Sequence, residues 1–497
     1  MGRGSRNGPP PEVAATMAEH KVEHKPVDRR RFLRATGAAA LGVGALALPA
    51  RSYSAVAGAN ARLRVGFLGC GARAQAHLHL VTKLAGEGKP VVAAAVCDVW
   101  DGHDDEYEQT HGGATVRRRY SQGLFPAAAK CGLDSGDRAH VTKDYRRVLD
   151  ATDIDAVCIA TPDHWHARMT LDAVAAGKDV FCETPLTRTA AEAVAVTDAL
   201  TRHGRVLAVG TPALADPVWA AARDLLQSGK LGRVSHLSAG VYRNDARGAW
   251  RFYRVTPTMT PRTIDWGLFL GHGFEVNGEA IGPTPTELPF SPAAFAQWRC
   301  EGALSSGPFT DLFVTPLTRL LFAGDLRLPS RVTASGGLFH ERDGRSVPDV
   351  GTLAADFDSA HLLLTGTTTS AYPQEEVIRG SHGTLKFVKG GYHVVGDSPH
   401  GNAGLPARLE LSLPPREAVA VASPRNETEA LWLDFLDCVG RRDAATLCPP
   451  DLGAAAAIVT ALAARSFHEG RSFAWNAETR AAEPVPPGWF ARGGRAP

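Results

Sequence analysis

Gly69, Gly71 and Ala74 stand at the spacing G-x-G-x-x-A, directly after the apolar run Arg64 to Leu68. That spacing brings backbone amides up to a phosphate. Gly69 makes the turn, Gly71 lets the backbone approach the ligand, and Ala74 keeps the next helix close to the strand. The helix predicted from Ala74 to Leu84 offers its amino end to a pyrophosphate. A second apolar run, Val91 to Val96, ends in Cys97-Asp98. A carboxylate at the end of that strand holds the ribose hydroxyls of NAD and repels a 2′-phosphate, so NAD is expected rather than NADP.

Oxidising an alcohol also needs a group that takes the hydroxyl proton as the hydride leaves. Tyr242-Arg243-Asn244-Asp245 closes a predicted strand, where Arg243 and Asn244 could bind substrate hydroxyls and Tyr242 could exchange a proton. A polar cluster at a strand edge is an equal reading of the same residues. His164 and His166, in Thr161-Pro162-Asp163-His164-Trp165-His166, are read first as holding a cofactor loop, with His166 kept as a proton-transfer candidate. Asp311 is another candidate, or else a helix cap.

These residues need a scaffold. From Arg64 to Gly210 apolar strands alternate with helices, which predicts a doubly wound parallel sheet over 62–212. The stretch from Asp98 to His140 reads as charged loop with one helix, and Arg117-Arg118-Arg119 as a solvated part of it. After a helix at Pro217–Ser228 come strands joined by short turns. They predict an α/β domain over 213–476 with an open, mostly antiparallel sheet. The closing helices within 426–470 are expected to pack back on the first domain, and 477–497 reads as a tail.

The 497 residues suffice for two cores, and a net charge of +2 gives no argument for a nucleic-acid partner. Residues 1–57 differ from the rest. Arg29-Arg30-Arg31 precedes a small apolar run from Ala35 to Pro49, and Ala55-Val56-Ala57 offers a cleavage site. Together they read as a twin-arginine signal, so the protein is expected to be exported, periplasmic or extracellular, with no membrane span once the signal is removed. The eight cysteines show no C-x-x-C spacing, so no metal site is expected and the thiols are read as buried.

Ordered motifs along the chain resemble the Gfo/Idh/MocA oxidoreductases, the family of glucose-fructose oxidoreductase and inositol dehydrogenase. They are Val65-Gly66-Phe67-Leu68-Gly69-Cys70-Gly71, Thr161 to His166, Phe181-Cys182-Glu183-Thr184-Pro185-Leu186, Gly229 to Val234, Asp265-Trp266 with Phe269-Leu270-Gly271, and Thr310-Asp311. The resemblance implies a Rossmann domain followed by a domain whose open sheet faces the nicotinamide. It also implies a sugar or polyol substrate and a homo-oligomer formed through that sheet. Carried over, Gly69, Cys70, Gly71, Ala72 and Arg73 would surround the pyrophosphate, and Thr161, Pro162, His164, His166, Glu183 and Thr184 would line the nicotinamide side of the cofactor. Trp266, Asp311 and Thr315 would join Arg243 and Asn244 around the substrate.

Against that pattern, two positions have lost their chemistry. The family's lysine before the proline is Thr184, and its histidine after the Thr-Asp pair is Thr315, with Thr318 at the later aspartate position. Pro316 would kink the helix that carries them. Three readings follow: an oxidoreductase with another proton path, a catalytically silent nucleotide- or sugar-binding protein, and an NAD-dependent glycosidase.

Overall fold

The computed structural model describes residues 62–111, 114–396 and 416–486, so residues 1–57, read as a twin-arginine signal, lie outside the described residues. The chain begins its fold with β1 (Leu63–Leu68), then α1 (Ala72–Gly86) and β2 (Val91–Cys97). There follow β3 (His103–His111), β4 (Ala114–Gln122), α2 (Leu124–Cys131), β5 (Val141–Thr142), α3 (Tyr145–Asp150) and β6 (Ala156–Ile159). The series ends with α4 (Asp163–Ala175), β7 (Asp179–Glu183), α5 (Ala190–His203) and β8 (Leu207–Gly210). Six of these strands form a parallel sheet ordered β5-β2-β1-β6-β7-β8. Its strand order reverses between β1 and β6, and ligands of such sheets bind at the carboxyl ends of the strands beside that reversal.

The segment after Asp98 is not loop. β3 and β4 form an antiparallel hairpin in which Glu106 faces Arg119 and Glu108 faces Arg117. Arg119 also reaches Asp104 with two hydrogen bonds of 2.9 and 2.8 Å. The other face mixes Tyr107 and Tyr120, which pack near Trp100, with Asp105 and Arg118, so the sequence carries little period-2 apolar signal. Arg117-Arg118-Arg119 is thus part of a strand whose charges are cross-paired.

The second domain starts with α6 (Val218–Gln227) and β9 (Val234–Tyr242), then α7 (Trp266–Leu270), a small ribbon of β10 (Glu275–Val276) and β11 (Glu279–Ala280), and α8 (Pro292–Ala296). α9 (Val314–Gly324) leads into β12 (Arg331–Gly337), β13 (Val350–Asp356), β14 (His361–Thr367), β15 (Val377–Gly380), β16 (Gly383–Val388), β17 (Gly391–Gly396) and β18 (Glu417–Ala420). α10 (Glu427–Arg441), α11 (Pro450–Glu469), β19 (Phe473–Asn476) and β20 (Ala481–Pro484) close it. Ten strands pair in one sheet, antiparallel except for β9 beside β14. On β14, Leu362 and Leu364 are buried while His361, Leu363 and Thr365 are partly exposed, so one face is covered and the other open. β20, in the segment read as a tail, pairs with β19 at the sheet edge.

α10 returns to the parallel sheet. Its Trp432 ring lies flat on Phe181 of β7, with centroids 4.6 Å apart, and both rings are buried. Burying an indole of this size contributes a few kcal/mol, roughly, and this contact fastens the end of the chain to the first domain. Pro316 does not kink α9. It falls in the first turn, where a missing N–H costs no helical hydrogen bond.

Candidate active site

Gly69 follows β1 with φ +85°, and a Cβ there would lie 2.8 Å from the carbonyl oxygen of Ala160 after β6. Only glycine serves at this position, where the two strand ends come together. Gly71 has open space where a Cβ would point, and no side chain caps α1, which starts beside it. Gly69, Gly71, Ala72 and Arg73 line a cleft of about 1140 Å³, together with Asp98, Thr161 and Pro162. The N–H groups of an uncapped helix start, beside a backbone left bare by glycine, make a cradle for a pyrophosphate.

Asp98 accepts the N–H of Cys70 at 2.6 Å and that of Trp100 at 2.9 Å. Burial pushes its carboxyl up to about 6, although both donors and the nearby Lys143 favour the ionised form. Each oxygen retains a lone pair toward the cleft for a ribose hydroxyl. Cys70 contributes its backbone alone, since its thiol is buried. The site therefore fits a dinucleotide.

Other predicted cofactor residues stand behind this wall. Glu183 accepts from Arg73 Nε at 2.9 Å and from His77 Nε2 at 2.7 Å. His77 Nδ1 in turn accepts the Trp432 indole N–H at 2.9 Å, so this buried ring is the neutral Nε2–H tautomer. Thr184 is partly buried and does not face the cleft. His164 donates from Nε2 to the Phe269 carbonyl at 2.9 Å, and burial pulls its pKa down to about 3, keeping it neutral. His166 meets two carbonyls, Pro185 at 2.6 Å and Thr161 at 2.9 Å. Carbonyls only accept, so both ring nitrogens carry protons. Burial opposes that charge, but Cys182, Asp163 and the Pro185 carbonyl raise the pKa to about 10. A ring so committed braces two loops and takes no proton from a substrate.

The second domain supplies the facing wall with Tyr253, Arg254, Phe269, Trp298 and Arg299. Asp311, in a short π-helical turn at Pro308–Leu312, accepts from Arg299 Nε at 2.6 Å and from the Trp250 indole at 2.8 Å. Trp250 is buried with φ 64°, a left-handed conformation that is rare for a bulky side chain. Arg299 lies over the Trp298 ring at 4.2 Å and beside Tyr253 at 5.5 Å. Burial opposes its charge, yet the Asp311 carboxylate raises its pKa further.

The remaining predicted residues do not converge on this cleft. Tyr242 bonds Thr365 at 2.6 Å and Gln374 at 2.8 Å on the open sheet. Arg243 and Asn244 line a second cavity of about 680 Å³, walled by Trp250 and Leu312. Trp266 stacks on Phe269 and donates to the Leu288 carbonyl, so it packs behind the wall. Thr315 is partly buried in the first turn of α9. Asp311 stands between the two spaces, bonded to Trp250 of one and Arg299 of the other.

Several cleft residues had no signal in the sequence. Tyr120 and Gln122 come from the β3–β4 hairpin. That hairpin is clasped to the second domain by Asp105, which receives both terminal nitrogens of Arg254 at 2.6 and 2.8 Å. The Arg254 guanidinium also lies over the Tyr107 ring at 4.8 Å. Lys143, which also lines the cleft, binds the Thr263 carbonyl and Asp101, both at 2.8 Å, beside the ribose carboxylate. It does not replace the lysine missing at Thr184. Among the described residues, no group of three or more His, Cys, Asp or Glu is placed to hold a metal, and no helix is long and apolar enough to cross a membrane.

Residues 63–211 match the family model described as an oxidoreductase family with an NAD-binding Rossmann fold. The levoglucosan dehydrogenase of Pseudarthrobacter phenanthrenivorans is 35% identical over 119 residues, 23% of this chain and 30% of that protein. The inositol 2-dehydrogenase of Burkholderia cenocepacia is 30% identical over 187 residues, 37% of this chain and 47% of that one. The chain thus spans less than half the length of these curated relatives. Among solved structures, levoglucosan dehydrogenase in complex with NADH matches with a TM-score of 0.54 at 19% identity, over 86% of this chain and 99% of that one. The aldose-aldose oxidoreductase of Caulobacter crescentus, complexed with glycerol, matches with a TM-score of 0.55 at 18% identity, over 83% and 99%. These structures share the two-domain fold. Residues 63–211 thus resemble the NAD-binding domain of the Gfo/Idh/MocA oxidoreductases.

Proposed function

We propose that this protein is an exported NAD-dependent oxidoreductase that acts on a sugar or polyol. The observation that carries the reading is the convergence of Gly69, Gly71, Arg73, Asp98, Thr161 and Pro162 on one cleft whose other wall comes from the second domain. Bound there, NAD supplies hydride acceptance. The chain's own residues hold it through the amino end of α1, the Asp98 carboxylate and the hairpin clasped over the site. The same reading includes assembly of copies through the open sheet face, where His361, Leu363 and Thr365 alternate with the buried Leu362 and Leu364.

The proton path differs from the family's. Thr184 and Thr315 are no bases near neutral pH, and Asp311, Tyr242 and His166 are each committed to other partners. Tyr253 lines the cleft, and its hydroxyl has no hydrogen-bond partner among the described residues. In this reading the Tyr253 hydroxyl exchanges the substrate's hydroxyl proton, with the Arg299 guanidinium 5.5 Å from its ring. A reduced-nicotinamide absorbance band on adding sugar, abolished in Tyr253→Phe with NAD still bound, is the expected result. A second reading, a silent binding protein, is supported by the loss of both family bases. Its signature is bound NAD whose spectrum no sugar changes.

A further inference from the structure

Four cations line the cleft, Arg73, Lys143, Arg254 and Arg299, and Asp98 is the carboxylate among them. The acids that balance the cations stand behind the walls. Two of the four are fully spoken for: Lys143 is held by Asp101 and a carbonyl, and both terminal nitrogens of Arg254 go to Asp105. Arg73, beside the phosphate turn, gives Nε alone to Glu183, which leaves its terminal nitrogens for a phosphate.

Arg299 shares that state with Arg73 but stands on the second-domain wall, away from the phosphate turn. Its Nε alone is used, on Asp311 at 2.6 Å, and neither terminal nitrogen has a protein partner among the described residues. The guanidinium lies over Trp298, with Tyr253 alongside, so its plane is fixed. The Asp311 bond sets its rotation within that plane. Asp311 in turn shares its charge with the Trp250 indole N–H, which lessens its claim on the arginine. Two parallel N–H groups held still at a cleft wall match the two oxygens of a carboxylate.

We propose that Arg299 anchors a carboxylate of the substrate, so that the sugar taken is a sugar acid, a uronate or aldonate. The proposal rests on the NAD-dependent reading above and narrows its substrate class. An anionic oxygen could also come from the cofactor's phosphates. Those have their own receptor in the amino end of α1 and Arg73, on the first domain, whereas Arg299 belongs to the second. A neutral polyol would leave both terminal nitrogens without an anionic partner inside the closed complex.

Trp298, beneath the guanidinium, reports on its occupancy. The test titrates the full chain, with and without NAD, with glucuronate, gluconate and glucose, following tryptophan fluorescence. NAD is titrated separately, and Arg299→Gln and Arg299→Lys are compared with the parent protein. At least one sugar acid is expected to bind about tenfold or more tightly than glucose. Arg299→Gln should abolish that preference and leave the NAD and glucose affinities within about twofold, while Arg299→Lys retains part of it. Equal or tighter binding of glucose, or no binding of either acid, overturns the proposal without any variant. A tenfold loss of NAD affinity in Arg299→Gln with the acid preference intact also overturns it, and assigns the arginine to a cofactor phosphate. Absence of NAD binding in the parent defeats the oxidoreductase reading instead, while the sugar-acid preference is still read in the nucleotide-free protein.

Discussion

Glu183→Gln removes the charge that holds Arg73, His77 and Trp432 together. Burial pushes the Glu183 carboxyl up, but the His77 hydrogen bond and the Arg73 charge outweigh it and bring the pKa from 4.5 to about 2. A depressed carboxylate contributes stability that is present above about pH 4.5 and is lost as pH falls toward 2. The displacement corresponds to about 3 kcal/mol at neutral pH. Arg73 is 37% exposed, so solvent screens part of its share, and about 2 kcal/mol is the expected cost. A Cβ at Gly210 would lie 2.6 Å from the Glu183 carboxylate oxygen, so the wall behind the side chain is tight and the glutamine cannot swing away. Urea unfolding at pH 7 should show the variant less stable by that amount, and the gap should shrink by more than half at pH 3. A gap below about 0.5 kcal/mol, or one equal at both pH values, refutes the reasoning about charge. Because Arg73 loses its anchor, NAD should also bind less tightly in the variant.

Asp98 works in the opposite sense, since its pKa is raised to about 6 by burial. Keeping it ionised costs stability above that pH, and the cost fades as pH falls through 6 toward 3.8. NAD affinity should therefore weaken by about tenfold between pH 8 and pH 5 by calorimetry, as the ribose loses its carboxylate, and Asp98→Asn should remove the pH dependence. Asp105→Asn opens the hairpin clasp, and the NAD dissociation rate measured by stopped flow should rise several-fold while the unfolding midpoint changes little. Trp432→Phe keeps the stacking on Phe181 but deletes the N–H to His77. It should cost about 2–3 kcal/mol in urea unfolding, from the His77 acceptor left unpaired and the space the indole vacates. Thr184→Lys should not be required for turnover if Tyr253 carries the proton.

The nucleotide half of the site was legible because its information is local. Gly69, Gly71 and Asp98 sit at strand ends whose apolar runs announce them, and sequence spacing alone brings them together. The second wall is built from long-range contacts. Tyr253, Trp298 and Arg299 meet Asp311 only after the loops following β9 and α8 fold against each other; the Trp298-Arg299 pair resembles a family segment, but its spacing does not record that meeting. Arg243 and Asn244 were rightly seen at a strand end, but that end opens on the cavity beside Trp250, not on the cofactor cleft. The β3–β4 hairpin was hidden for another reason. Its strands pair acids with arginines on one face and set tyrosines among charges on the other, which reads as a solvated loop. Pro316 misled through position, since a proline that kinks a helix interior is harmless in its first turn.

The central claim is a cleft that holds NAD and exposes it to a sugar. The most direct measurement is the mass and absorbance of whatever nucleotide co-purifies with the folded protein, before and after a pool of neutral and acidic sugars is added. The account predicts NAD, and a reduced-nicotinamide band that grows with the sugars. NAD with an unmoving spectrum contradicts turnover and leaves a binding protein, and a protein that neither carries nor binds a nucleotide contradicts the reading of Gly69 to Ala74 itself.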